Sequence, residues 1–190
     1  MDITALYLDK LNPHMEKMLL DRMPQGVDVR FLNPSTGRKG ELRDADVLID
    51  TTFQVTREII DAAPKLKLIQ RTGIGVDMVD MAYAKEKGIP VSVCPGFNSV
   101  SVAELAVLDM LALYRRISFM DARTKKREWH TWTHRHESYE LTGKTVGVIG
   151  VGNIGRNVIK RVRSFDTTVL YYDPFHLPEE QEKELNISYR

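Results

Sequence analysis

Short runs of aliphatic and β-branched residues alternate with amphipathic segments along most of the chain. Residues 3–8 form the first apolar run, which predicts a strand, and residues 12–23 predict a helix that Asn12 caps and Pro13 opens. The same two patterns then predict strands at 27–32, 46–49, 66–70 and 90–93 and helices at 57–63 and 81–88. Because strands and helices alternate at these lengths, we predict an α/β fold with a parallel sheet that helices cover on both faces.

A longer apolar stretch follows and predicts one helix from about Ser101 to Met120. Its first residues, Ser101 to Glu104, fit a capping box, in which side chains and backbone satisfy each other's free groups. The stretch is apolar on nearly every face, so we expect it to be buried between two layers or two domains. Charged residues interrupt it, which favours a buried helix of a soluble protein over a membrane span.

The polar and basic segment 121–140 contains three of the five histidines and both tryptophans. His130 and His134 would share one face if the segment were helical, as metal ligands can. No cysteine or carboxylate completes a ligand set, so a solvated connection is the favoured interpretation, ahead of a metal or nucleic-acid site. For Cys94, a small buried residue is favoured over a nucleophile, because no histidine partner is evident.

A second α/β unit begins with an apolar strand at Thr145–Ile149 and a G-x-G-x-x-G turn made by Gly150, Gly152 and Gly155. A helix, a strand at 168–172 and then Asp173 follow. In this arrangement the three glycines permit the tight turn, the approach of backbone to a pyrophosphate and the packing of helix on strand. The helix N-terminus attracts phosphate, and Asp173 would accept hydrogen bonds from a ribose. The sequence therefore predicts a dinucleotide site or its first half.

A second glycine turn, Gly73-Ile74-Gly75, follows the strand predicted at 66–70. Open α/β sheets bind ligands at the carboxyl ends of their strands, and successive backbone N–H groups in this turn could form a nest for a carboxylate. A purely structural turn explains the same residues equally well. The stretch itself leaves both interpretations open.

Composition limits the classes of partner. The 190 residues carry a net charge of +1, so no overall field attracts nucleic acid or a membrane surface. The single cysteine excludes an internal disulfide and fits a reducing compartment, and no signal peptide is evident. These observations predict a soluble, cytoplasmic protein.

Taken together, three segments resemble the NAD-dependent D-2-hydroxyacid dehydrogenase family, which includes phosphoglycerate, lactate and glycerate dehydrogenases. In chain order they are ADVLID…VTREIIDAAPKLKLIQRTGIGVDMVD (45–80), KGIPVSVCPGFNSVSVAELAVLDMLALYRRI (87–117) and ELTGKTVGVIGVGNIGRNVIKRVRSFDTTVLYYDP (140–174). The resemblance implies a flavodoxin-like substrate domain at residues 1–98. An interdomain helix and an incomplete Rossmann-type NAD-binding domain would occupy residues 99–190.

The resemblance also assigns roles to single residues. Backbone groups of Ile74 and Gly75, in the turn from Gly73, would hold the carboxylate of a small 2-hydroxy or 2-oxo acid, and Asn98 would lie in the crossover segment beside the active-site cleft. Asn153, Ile154 and Asp173, with the glycines Gly150, Gly152 and Gly155, would contact NAD. The full-length protein would be a homodimer with no nucleic-acid or membrane partner.

Two departures from the family pattern change the expectations. Phosphoglycerate enzymes of the family carry an arginine where this chain has Asp50, which argues against a phosphorylated substrate. The family's catalytic arginine, acidic residue and histidine would lie downstream of Asp173, and no histidine of this chain has the catalytic position. We therefore expect an NAD-dependent oxidoreductase whose catalytic residues are not in this sequence and which is inactive alone. An NAD-binding interaction protein similar to corepressors and an inactive remnant are the alternatives.

Overall fold

The computed structural model describes residues 3–32, 38–130 and 132–190. The chain divides into two compact units, Met1–Pro95 and Gly96–Arg190, and each is described by itself. The roles predicted for residues 1–98 and 99–190 stay predictions. None of the helices in the described ranges combines the length and the apolar character that crossing a membrane requires.

The first unit is a five-stranded parallel sheet with the strand order β2-β1-β3-β4-β5. This is the order of doubly wound flavodoxin-like folds, so the predicted α/β, flavodoxin-like class is confirmed. The elements in chain order are β1 (Ile3–Tyr7), α1 (Pro13–Leu20), β2 (Val27–Phe31), α2 (Arg38–Leu42), β3 (Val47–Asp50), α3 (Arg57–Asp61), β4 (Leu68–Arg71), α4 (Met81–Glu86) and β5 (Val91–Ser92).

The core of this unit lies along the three central strands. Leu6, Leu48 and Ile69, one from each of β1, β3 and β4, have no exposed surface. Asn12 caps helix α1 as predicted, because its side-chain oxygen accepts a hydrogen bond from the Met15 N–H at 2.9 Å. The helix ends earlier than predicted, at Leu20, and Pro24 disfavours helical backbone at the residue before it.

The second unit contains a three-stranded parallel sheet with the order β6-β7-β8. The bounds of β6 and β7 are those that the sequence predicts. The elements are α5 (Ser99–Tyr114), α6 (Ile117–Lys125), a 3₁₀ turn (Arg135–Glu137), β6 (Thr145–Ile149), α7 (Asn153–Val162), a second 3₁₀ turn (Arg163–Phe165), β7 (Thr168–Tyr172), α8 (Glu179–Leu185) and β8 (Ser188–Tyr189).

The single long helix predicted from Ser101 to Met120 is wrong in two respects. Helix α5 begins at Ser99, so Ser101 lies inside it and cannot cap it. The helix also ends at Tyr114, because Arg116 adopts the left-handed conformation (φ 50°) and a new helix starts after it. Residues that follow stabilise this break: the Arg116 guanidinium donates to Glu137, and the Tyr139 N–H donates to the Tyr114 carbonyl at 2.9 Å.

The expected burial of this stretch between two layers or two domains is met on one face within the second unit. Only Ser99, Ala103 and Val107 of α5 are buried, whereas Leu108 and Leu113 are 59% and 77% exposed. One face of α5 packs on helix α7, and burial of its other faces against a second domain or a second subunit stays a prediction.

The central strand β3 provides a test of the first core. Leu48 has no exposed surface, so Leu48→Ala should leave a cavity and lower the free energy of unfolding by about 2–5 kcal/mol. Leu20, at the exposed end of α1, is the matched control, and Leu20→Ala should change it by at most about 0.5 kcal/mol. Urea unfolding followed by circular dichroism measures both. Equal losses in the two variants would contradict the assignment of the core.

Candidate functional site

The turn between β6 and α7 depends on two glycines. Gly150 has φ +89°, a conformation that residues with a side chain rarely adopt. A Cβ atom at Gly155 would overlap with the Gly150 carbonyl oxygen and lie 3.4 Å from Val148. Only glycine at position 155 therefore lets the first turn of the helix approach the end of the strand this closely.

The N-terminus of α7 has the properties of an anion-binding site. The Arg156 N–H is the first to bond within the helix, to the Gly152 carbonyl at 3.0 Å. Within residues 3–32, 38–130 and 132–190, no acceptor pairs with the N–H groups of Asn153, Ile154 and Gly155. Gly152 is exposed and has open space where a Cβ would be, so a ligand can approach the backbone there. These free donors and the helix dipole favour a phosphate group.

Asp173, directly after β7, lies beside this turn as the sequence predicts. Its two carboxylate oxygens accept hydrogen bonds from the N–H groups of Val151 at 2.8 Å and Phe175 at 2.9 Å. The bond from Val151, followed by the bond from Phe175, lowers the pKa of Asp173 below its ordinary value. The carboxylate is therefore ionised at neutral pH, and each oxygen keeps a lone pair that can accept a hydroxyl of a ligand.

Arg156 is a residue of this site that sequence reasoning missed. Its Nε donates to the Val151 carbonyl at 3.1 Å, and its Nη2 donates to Gln181 at 2.8 Å. The backbone of Val151 is thus held on both sides, through its N–H by Asp173 and through its carbonyl by Arg156. The position of Arg156, one residue after the last glycine, was the only available signal.

The segment before α5 also packs on this helix N-terminus. Gly96 has φ +77°, and a Cβ there would lie 2.9 Å from Nδ2 of Asn153. Ser99 fastens the segment through its Oγ, which donates to the Gly96 carbonyl at 2.7 Å. The predicted substrate residue Asn98 is exposed at the N-cap of α5, and its side chain makes no capping bond. Asn98 and Asn153 therefore belong to one unit.

The second glycine turn lies in the other unit, at the carboxyl end of β4. Two of its three backbone carbonyls are engaged by the protein: Gly73 accepts from the Cys94 N–H at 2.9 Å, and Gly75 accepts from Nε of Arg71 at 2.8 Å. Its N–H groups have no acceptor in the described parts of the chain, and Ile74 is 64% exposed. A turn whose Gly73 and Gly75 carbonyls are hydrogen-bonded to the protein and whose N–H groups are free is suited to binding an anion such as a carboxylate.

Asp50 and Arg71, which support this turn, were not predicted to interact. They end the adjacent strands β3 and β4 and are register partners in the sheet. The Arg71 guanidinium donates to Asp50, and both side chains are buried. Burial raises the pKa of Asp50 above its ordinary value, and the Arg71 guanidinium opposes that rise. Asp50 therefore points into the protein, where it cannot serve as a direct ligand of a substrate.

The histidine-rich segment is a solvated connection, as predicted, since none of its described residues is buried, and its side chains also pair locally. The Phe119 ring of α6 packs edge-on against the His134 and His130 rings, with ring centroids 4.6 and 5.9 Å apart. Thr131, within this segment, lies outside the described residues. The histidines pair with Glu137 and Glu128 at 3.0 and 3.3 Å. Among the described residues, no group of three or more histidines, cysteines and carboxylates could hold a metal ion.

Comparison with known proteins identifies the family of the chain. The model of the D-isomer specific 2-hydroxyacid dehydrogenase family, catalytic domain, matches residues 5–172. The chain belongs to this family. The match includes the Gly73–Gly75 turn, the Gly150–Gly155 turn and strand β7, and it ends at the residue before Asp173.

Relatives in the 2-hydroxyacid dehydrogenase family are named for different activities. The chain is 43% identical over 148 residues to a D-3-phosphoglycerate dehydrogenase of Methanocaldococcus jannaschii, and this match covers 77% of the chain and 28% of the relative. It is 38% identical over 167 residues to a hydroxypyruvate reductase of Thermotoga maritima, and this match covers 88% of the chain and 48% of that relative. The chain thus spans less than half the length of either protein.

A solved structure of the same dehydrogenase fold contains a bound cofactor. The NAD-dependent formate dehydrogenase from Staphylococcus aureus, in complex with NAD, is 32% identical with a TM-score of 0.77, and the match covers 100% of this chain and 60% of that one. The likeness confirms the predicted combination of parallel α/β sheets, including the Rossmann-type second unit.

The contact between Gly155 and Gly150 can be tested directly. Gly155→Ala would force α7 away from β6, so it should destabilise the second unit and expose the β6 and β7 amides. Gly147→Ala is the matched control, because a Cβ at this strand position meets nothing within 4 Å. Hydrogen exchange of peptides from residues 145–172 measures the effect. Equal protection in the two variants would show that the close approach does not matter.

Proposed function

We propose that this chain forms the first part of an NAD-binding site and a carboxylate-binding turn of a D-2-hydroxyacid dehydrogenase. The whole protein would interconvert a small 2-hydroxy acid and its 2-oxo acid. The observation that carries the proposal is the arrangement of the Gly150–Gly155 turn, the free N–H groups at the start of α7 and the ionised Asp173.

The residues of this turn fit a dinucleotide. The open backbone at Gly152 and the N–H groups of Asn153 and Ile154 would hold the pyrophosphate, and Asp173 would accept the hydroxyls of the adenosine ribose. The two backbone bonds to Asp173 leave it fixed and charged in advance, so little rearrangement is needed when the ribose arrives. Membership of the family and the NAD complex of a relative support this assignment.

The turn from Gly73 to Gly75 would bind the carboxylate of the substrate through backbone donors. Asn98, exposed at the start of α5, is the second candidate for contact with the substrate. Since Asp50 takes the place of the arginine of phosphoglycerate enzymes and is buried against Arg71, residue 50 offers no cation for a phosphate group.

A bound NAD would supply the hydride chemistry at C2 of the hydroxy acid and of its oxo acid. The part played by the residues of this chain is binding and orientation. The turn at Gly73–Gly75 would fix the carboxylate, and the α7 N-terminus would fix the pyrophosphate. Each ligand held in this way loses rotational and translational freedom when it binds rather than in the reaction.

The choice between NADH and NADPH tests the proposed cofactor site. The ionised Asp173 should accept ribose hydroxyls and repel a 2′-phosphate, and the nearby Arg156 is engaged by Val151 and Gln181. NADH should therefore bind about tenfold or more tightly than NADPH at pH 7. Fluorescence titration of the chain with each reduced cofactor measures the two affinities.

Substitution at Asp173 should change this preference, and a control should not. Asp173→Ala should weaken NADH binding and narrow the difference between the cofactors. Asp121→Ala, which removes a carboxylate on α6 paired with Lys125, should leave both affinities unchanged. Equal affinity of the unaltered chain for NADH and NADPH would rule out the proposed role of Asp173.

The lowered pKa of Asp173 sets the pH range over which its carboxylate can bind a ribose. Because the folded pKa is lower than the ordinary value of 3.8, the carboxylate stabilises the fold above that value, and this contribution is lost as the pH falls through the folded pKa. The affinity for NADH, which carries no 2′-phosphate, should accordingly stay constant from pH 8 down to about pH 5 as far as Asp173 contributes. A loss of NADH affinity near pH 6 would assign the ribose contact to another group.

The choice between a phosphorylated and an unphosphorylated substrate tests the Gly73–Gly75 turn. In the catalytically competent protein, hydroxypyruvate should have a higher kcat/KM than 3-phosphohydroxypyruvate, because the turn provides backbone donors and residue 50 provides no cation. The two compounds differ only in the phosphate, so each serves as the control for the other. The Thermotoga maritima relative is named for the reduction of hydroxypyruvate and the Methanocaldococcus jannaschii relative for the phosphorylated substrate, so the prediction rests on residue 50 and the turn. A higher kcat/KM for the phosphorylated compound would refute it.

A further inference from the structure

The function proposed above uses the buried pair of Asp50 and Arg71 only to explain why residue 50 offers no cation for a phosphate. Asp50 has no exposed surface, and the side chain of Arg71 is 8% exposed. One oxygen of Asp50 accepts from Arg71, whereas the other, Oδ2, is buried without a hydrogen-bond partner in the described part of the chain. An ion pair left incomplete in this way is a poor means of stabilising a sheet, since apolar residues of similar size serve as well or better.

The geometry of Arg71 indicates what the pair does. The guanidinium donates in two directions, from one Nη to Asp50 and from Nε to the Gly75 carbonyl at 2.8 Å. The backbone of the preceding strand end is fixed independently, because the Thr72 N–H donates to the Asp50 carbonyl at 3.0 Å. The exposed end of the glycine turn has no such backbone bond, and the described residues hold its Gly75 carbonyl only through Arg71.

The neighbourhood of Asp50 is built to keep it in place. Asp9 accepts hydrogen bonds from the N–H groups of Thr51 and Thr52, at 2.6 and 2.8 Å, and thereby fixes the chain that follows Asp50. The Thr51 hydroxyl bonds to Tyr7 at 2.8 Å and to Thr72 at 2.9 Å. The carboxyl ends of β1, β3 and β4 are thus joined beneath the turn.

We propose that Arg71, oriented by Asp50, is the positioning residue of the Gly73–Gly75 turn. By holding the Gly75 carbonyl it keeps the free N–H groups of the turn directed towards the carboxylate of a 2-oxo acid. The pair is neutral overall, so the turn selects its ligand by the direction of its donors rather than by net charge. This inference rests on the proposed carboxylate-binding function of the turn.

The test replaces the pair by apolar residues of similar size in the 190-residue chain. Asp50→Leu with Arg71→Met removes both charges together, which avoids leaving one buried charge unpaired. The thermal midpoint should change by only a few degrees. The ¹⁵N order parameters of Ile74 and Gly75 should fall from about 0.85 to below about 0.6. The dissociation constant for pyruvate, measured from the amide shifts of the turn, should rise about tenfold or more.

Two further variants complete the design. Asp28→Leu with Arg30→Met removes an exposed ion pair on β2 and should alter neither the order parameters nor the affinity. Arg71→Lys keeps the charge opposite Asp50, so it should fold even where the apolar pair does not, but a single ammonium replaces the planar fork. It too should lose order at Gly75 and affinity for pyruvate.

The outcomes separate the two proposals. Parent-like order parameters and pyruvate affinity in a folded Asp50→Leu/Arg71→Met variant, or in Arg71→Lys, would overturn the positioning role. If the unaltered chain fails to bind pyruvate at these amides, the carboxylate function of the turn is wrong. The comparison of order parameters without ligand then still decides whether Arg71 fixes the turn.

Discussion

The close approach of helix α7 to strand β6, at the contact between Gly155 and the Gly150 carbonyl, sets the position of every group in the proposed cofactor site. It brings the first free N–H groups of the helix to the end of the strand, beside Asp173 at the end of the neighbouring strand. Val151 links them, since its N–H bonds to Asp173 and its carbonyl to Arg156. A side chain at residue 155 would separate these groups by moving the helix as a whole.

The α7 N-terminus and the Gly73–Gly75 turn both present free backbone N–H groups, but they do so in different ways. At the α7 N-terminus, donors are free because a helix leaves its first N–H groups without partners. At Gly73–Gly75, the N–H groups have no acceptor among the described residues, and bonds from Cys94 and Arg71 to the Gly73 and Gly75 carbonyls hold the turn. The first arrangement needs glycine where the backbone is crowded, whereas the second needs a buried arginine and a carboxylate to orient it. Each lies at the carboxyl end of a parallel sheet, where such folds bind ligands.

Sequence predicted best what depends on neighbours along the chain. The bounds of β6 and β7, the Asn12 cap and the position of Asp173 beside the glycine turn follow from local patterns. It failed where distant segments decide. The break at Arg116 depends on Glu137 and Tyr139, which take up groups at the end of α5, and the apolar sequence alone indicated a continuous helix. The pairing of Asp50 with Arg71 depends on the register of two strands, 21 residues apart in sequence, which no local pattern contains.

The central claim is that residues 150–173 form a preorganised site for NAD. The most direct measurement is an amide NMR titration of the 190-residue chain with NAD⁺. The account predicts that the signals of Gly152, Asn153, Ile154 and Phe175 shift together with one dissociation constant, whereas the core amides of Leu6 and Leu48 in the first unit do not move. Shifts that spare the Gly150–Gly155 turn, or no shifts at millimolar NAD⁺, would contradict it.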